Sequence, residues 1–113
     1  MSSLRNSVQL IGRLGKDPEV KTFTNSKKAS FSIATNDVYK NAKGEKVEDT
    51  QWHNIVIWGK LADVAEKFLK KGQEVAVEGK LVHRNYETDK GEKKYMTEIN
   101  VNDLVLLSEK KQA

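Results

Sequence analysis

The sequence predicts an all-β domain whose strands curl into one small closed barrel, with a single short α-helix inserted. Three observations carry this. Apolar and polar residues alternate along most of the chain. The period turns helical only once, around residues 61–69. Glycines at 12, 15, 59 and 79 fall where barrel strands bend or bulge. A length of 113 residues allows one domain, and 37% apolar with 32% charged residues suits a folded domain with a heavily charged surface.

Residues 7–15 form the first predicted strand, with Val8, Leu10, Gly12 and Leu14 facing one way and Gln9, Ile11 and Arg13 the other. Asp17-Pro18 breaks it, because proline lacks an N–H and favours an extended residue before it. A short strand over 20–24 follows, then a turn at Asn25-Ser26. In 29–35 Phe31 and Ile33 alternate with Ser30, Ser32 and Ala34. The polar stretch 40–49, centred on Lys43-Gly44, reads as an exposed hairpin loop, and 50–58 is dense in β-branched and aromatic residues. Leu61, Val64, Ala65, Phe68 and Leu69 then form an apolar helical stripe of about three turns, with Gly59 at its start and Gly72 as a left-handed cap at its end. Strands over 73–86 and 94–107 flank a turn at Asp89-Lys90-Gly91. This order, with the helix between strands three and four, is that of an OB-fold, a five-stranded Greek-key barrel with long hairpin loops, expected here to be antiparallel.

Composition removes several function classes. The chain has no cysteine, which excludes disulfide scaffolds, thiolate metal centres and cysteine nucleophiles. No apolar run nears the ~18 residues of a membrane span, and the opening residues carry no signal-peptide core, so a cytoplasmic location without membrane partners is expected. Net charge is +4. Residues 1–60 carry ten Lys/Arg against six Asp/Glu and residues 61–113 ten of each, so the excess lies in the half holding Tyr39, Trp52 and Trp58. Catalysis has little to work with. His53 and His83 stand thirty residues apart in predicted strands, outside any metal-ligand spacing, and no phosphate-cradling loop opens the helix. No catalytic residue, metal or cofactor is expected.

The aromatic residues are more informative. Phe31 and Phe68 share the parity of apolar neighbours and read as core; Phe23 and Tyr95 are ambiguous. Trp52 and Trp58 share a parity with Asn54 and Val56, while Ile55 and Ile57 make the other face apolar. One face can fill the barrel, and the other needs a different use. Tyr39 beside Lys40, and Tyr86 two residues after Arg84, stand at the bases of polar hairpins. Aromatic side chains bordered by cations suit an unpaired strand, whose bases stack and whose phosphates release counterions.

The stretches VQLIGRLGKDPEV over 8–20, FSIATN over 31–36, TQWHNIVIWGKLA over 50–62 and KKGQEVAVEGKL over 70–81 closely resemble the bacterial single-stranded DNA-binding proteins (SSB), with similarity from about residue 4 to 107. The resemblance implies an OB-fold, a homotetramer, and sequence-independent binding of single-stranded DNA during replication, recombination and repair. It also implies that Tyr39, Trp52, Trp58 and Tyr86 stack on bases. Trp58 stands where phenylalanine is common, and Tyr39 and Tyr86 where tryptophan is common in the best-known members. Lys60 and Lys71 match lysines that approach phosphate, and Arg84 matches a basic position; Asn85 replaces a frequent lysine, and His53 matches a subunit-contact histidine. A nucleoid-associated place in the cytoplasm follows. Residues 1–107 are expected to form the DNA-binding domain and 108–113 a tail lacking the acidic tip that recruits replication and repair enzymes in the family, which argues against tail-mediated partners. Two alternatives stand beside this: an RNA- or primosome-type OB protein, and an OB-like module whose aromatics bind protein or its own copies.

Overall fold

The computed structural model describes residues 4–107. Among these are β1 (Val8–Leu14), β2 (Glu19–Thr22), β3 (Lys27–Lys40), β4 (Lys46–Trp58), α1 (Lys60–Phe68), β5 (Glu74–Glu87) and β6 (Lys93–Leu106). Hydrogen bonding runs β1-β5-β6-β4-β3-β2, and a further β1–β3 pairing at Arg13↔Ala34 and Leu14↔Ile33 closes five strands into a barrel, leaving β2 as a flap on β3. This is the predicted OB-fold. The residues of the expected tail, 108–113, lie outside the described residues.

The barrel departs from the antiparallel expectation at one seam. β4 and β6 run parallel, with Asn54, Ile55 and Val56 opposite Glu98, Ile99 and Asn100. Parity requires it: direction cannot alternate all the way round a ring with an odd number of strands. The helix supplies the crossover that lets β5 and β6 return on the far side of β1.

The core follows the alternation. Leu14, Ala29, Phe31, Ile33, Ile55, Ile57, Val75, Val77, Ile99 and Val101 are buried inside the barrel. The β5–β6 register shifts between Glu78 and Gly79, where β6 carries Asn102 as an extra residue, and a Cβ on Gly79 would overlap the Asn100 carbonyl. The expected exposed loop over 40–49 is shorter than that: it narrows to residues 41–45, and Lys40 and 46–49 belong to the strands. β3 and β4 stay paired to Lys40↔Lys46, and the turn itself is held by Asn41, whose Oδ1 accepts the N–H groups of Lys43 (2.9 Å) and Glu45 (3.0 Å). This hairpin stands clear of the barrel, so neither face needs an unbroken apolar row and the strand signal is weak in the sequence.

Helix α1 packs against the barrel through Ala62, Ala65 and the following Leu69, all buried. Phe68 is not core: it is 56% exposed, because the buried stripe runs 62-65-69 and Val64 and Phe68 lie off its edge. Gly72 does adopt a positive φ of 90°, but not as the helix cap. Leu69 already leaves in an extended conformation, drawn into the core, and Gly72 forms the turn into β5, donating its N–H to the Leu14 carbonyl at 2.9 Å. Lys27 ties the helix to β3, with its Nζ 2.7 Å from both Asp63 and Glu66. Its hydrogen bonds to Asp63 and then Glu66 push the Lys27 pKa up to about 12, and the same contact lowers that of Asp63.

Lys27→Met is expected to unfold at lower urea than wild type at neutral pH. Because the Asp63 carboxyl titrates below its ordinary 3.8, the clamp contributes fully above that pH and fades as pH falls through the depressed value. On the alkaline side it is complete below the ordinary lysine value of 10.5 and lost as pH rises through about 12. The gap between the two urea midpoints should therefore close in acid; a gap unchanged there contradicts the clamp.

Candidate nucleic-acid interface

Strand β4 organises the site. Its inward residues Ile55 and Ile57 are fully buried, while Trp52 and Trp58, of opposite parity, are 58% and 42% exposed. Both indoles thus lie on the outer wall of the barrel. Between them an open groove of about 390 Å³ has Val56 and Asn54 on its wall, together with Ser30, Ser32 and Met96 from the neighbouring strands. Lys16, Lys21 and Lys28 border it, but so do Asp17, Glu19 and Glu98, so its formal charge balances.

Each indole has a packing partner. The Trp52 ring covers Gly15 where the chain leaves β1: a Cβ there would stand 2.6 Å from Cζ3. Gly15 in turn donates its N–H to the Ser32 carbonyl at 3.1 Å, fixing the corner beneath the ring. Trp58 meets Phe23 with ring centroids 5.9 Å apart and planes inclined at 31°. The ammonium of Lys28, its cross-strand partner, lies over the indole at 5.6 Å from the ring centroid.

The other predicted residues separate. Tyr86 and Arg84 lie on the β5–β6 hairpin with the parity of Glu98, itself opposite Asn54, so they continue the face that bears the tryptophans. Arg84 is committed within the fold, since its Nε donates to Glu98 Oε1 at 2.5 Å and Glu98 is buried. That carboxylate offsets its charge. Tyr39 is exposed on the β3–β4 hairpin, but the unbroken register gives it the parity of Phe31 and Ile33, opposite to Trp52. Lys60 opens α1 two residues after Trp58. Lys71 is exposed in the turn before β5, and its backbone N–H donates to Asp17 Oδ1 at 2.8 Å, joining this turn to the groove's acidic rim. His53 and His83 each lie 3.0 Å from a threonine hydroxyl, of Thr35 and Thr97 respectively, as structural histidines would. Among the described residues no cluster of three or more metal-ligating side chains occurs.

Sequence reasoning left Phe23 unresolved and did not single out Lys28. The signal for Lys28 is the β3–β4 register, which sets it directly across from Trp58, whereas Phe23 reaches the indole from the β2–β3 turn.

The chain matches the single-strand binding protein family over residues 5–107. It is 45% identical over 107 residues to Single-stranded DNA-binding protein 1 of Chlorobaculum tepidum, covering 93% of this chain and 66% of that protein. To Single-stranded DNA-binding protein 1 of Xylella fastidiosa it is 41% identical over 112 residues, covering 97% and 82%. Among solved structures, the Plasmodium falciparum SSB complex with ssDNA superposes with a TM-score of 0.87 at 36% identity, covering 96% of this chain and 98% of that one.

Gly15→Ala is expected to displace the Trp52 ring, changing tryptophan emission and near-ultraviolet circular dichroism while the far-ultraviolet spectrum stays put. Identical tryptophan signals in the variant would contradict the packing described.

Proposed function

The chain belongs to the single-strand binding protein family, and from that premise we propose that it binds single-stranded DNA without sequence preference, through base stacking on its outer aromatics and phosphate contacts with its lysines. The observation that carries this is the pair of half-exposed indoles on one face of β4, flanking a lysine-bordered groove. An indole of this exposure costs hydrophobic free energy unless something covers it, and a base does so whatever its identity. The family's members are DNA-binding proteins without catalysis.

Trp52, Trp58 and Tyr86 form the stacking row in this reading, with Lys60 and Lys71 as phosphate contacts. Tyr39 reaches DNA from the opposite side of its hairpin, as a strand wrapping round the arm would require. Arg84, held by Glu98, offers its remaining guanidinium N–H groups to a base or phosphate. Protection of exposed strands in replication, recombination and repair, in the cytoplasm, is the corresponding role. No helix among the described residues is long and apolar enough to cross a membrane.

Assembly belongs to the proposal. The outer face of β1, β5 and β6 carries Ile11, Ala76 and Val105 in an apolar groove of about 460 Å³, away from the tryptophans. Ile11 and Val105 are both more than half exposed. Self-association into a homotetramer through this face leaves the aromatic face open to the strand.

One titration tests both parts. With oligo-dT, tryptophan emission should quench, and Trp52→Ala and Trp58→Ala should each weaken binding by about 1–3 kcal/mol, roughly 5- to 150-fold in Kd. Light scattering of the same samples should give four protomers. Tight binding without quenching, or preference for the matching ribo-oligomer, overturns the binding mode; a monomer overturns the assembly.

A further inference from the structure

We propose that Lys28 is an exchangeable cover on the Trp58 platform: its ammonium rests on the indole in the free protein, yields that place to an incoming base, and moves to the phosphate beside it. The inference rests on the single-strand reading above and adds a residue and an event to it.

Two successive lysines of β3 behave differently. Lys27 is pinned to the helix by two carboxylates at 2.7 Å. Lys28 projects to the other side of the strand, directly across from Trp58. Among the described residues no carboxylate pairs with its ammonium, whose one defined contact is the indole, 5.6 Å from the ring centroid.

The second neighbour of Trp58 is held through its backbone. Phe23 sits in the β2–β3 turn, where its N–H donates to the Ser26 carbonyl at 2.7 Å, and its ring leans on the indole at 5.9 Å. A base approaching Trp58 therefore meets one aromatic neighbour, anchored through its backbone, and one flexible cation.

Displacing the cation is the easier route. A cation–π contact at an exposed site is weaker than a base stacked on an indole, and a lysine stem has rotamers to spare. The ammonium needs to travel only about the length of its own side chain. Any nucleotide stacked on Trp58 brings its phosphate into that range, so the charge leaves the ring for a stronger partner. Lys28 would then be absent from any list of phosphate-binding residues drawn from the free protein, yet contribute one phosphate contact in the complex.

The test uses Lys28→Ala, with Lys28→Gln as a second uncharged variant that keeps length. In a Trp52→Phe background Trp58 is the only tryptophan. Removing the cover should make free Trp58 more accessible to acrylamide. Oligo-dT affinity is then measured against salt. Both variants should lose about 0.7 from the magnitude of the log–log slope, the value of one phosphate on a single strand. Over a fourfold rise in salt their affinity should converge on wild type by about 2.6-fold. An unchanged slope with normal wild-type binding overturns the exchange alone. Weakening that is equal at every salt concentration makes Lys28 a structural support of the indole and overturns it too. Failure of the wild-type protein to bind oligo-dT sinks the single-strand reading itself.

Discussion

The structure depends on the register of β4 against β3. One residue step separates a fully buried isoleucine from a half-exposed indole, so a slip by one position would drive Trp52 and Trp58 into the barrel and turn Ile55 and Ile57 outward. The core forbids that slip. Burying two isoleucines contributes several kcal/mol by area, and the interior has no room for two indoles at native packing density. Core packing and the orientation of the aromatic platform are therefore one constraint seen from two sides of a single strand.

Barrel closure then distributes the platform's neighbours. Because five strands must close with one parallel seam, β6 comes to lie beside β4, which brings Glu98 next to Asn54 and carries the β5–β6 hairpin onto the tryptophan face. The two long hairpins extend past the barrel with little burial beyond Ile33 and Val82, so both faces of each arm are open to solvent. Electrostatically the groove is balanced rather than basic: its three lysines face three carboxylates, one of them spent on Arg84. The proposed binding mode accordingly draws its affinity from stacking first, with phosphate neutralisation as the salt-sensitive remainder.

Much of this was legible in the sequence wherever a side chain's surroundings are set by its own strand. Alternation in 8–14, 29–33 and 55–58 gave the barrel wall and the outward tryptophans, and the helix stood out by its period. What stayed hidden depends on partners far along the chain. Phe68 fits an apolar helical stripe by spacing, but the barrel wall meets a stripe centred on Ala62, Ala65 and Leu69. Gly72 announces a left-handed turn without revealing that Leu69 ends the helix first. The polar arms of β3 and β4 carry no hydrophobic alternation, because neither face touches the core. That Arg84 is held by a buried carboxylate, and that Lys28 covers an indole, follows only from cross-strand register.

Rings on the outer wall, rather than charge alone, are proposed to hold the strand. The most direct measurement compares oligo-dT with an abasic deoxyribose-phosphate oligomer of equal length and charge, at equal salt. If stacking holds the strand, the abasic oligomer binds about tenfold or more weakly and leaves tryptophan emission unquenched, while keeping a comparable salt dependence. Equal affinity for the two, or equal quenching, would contradict it.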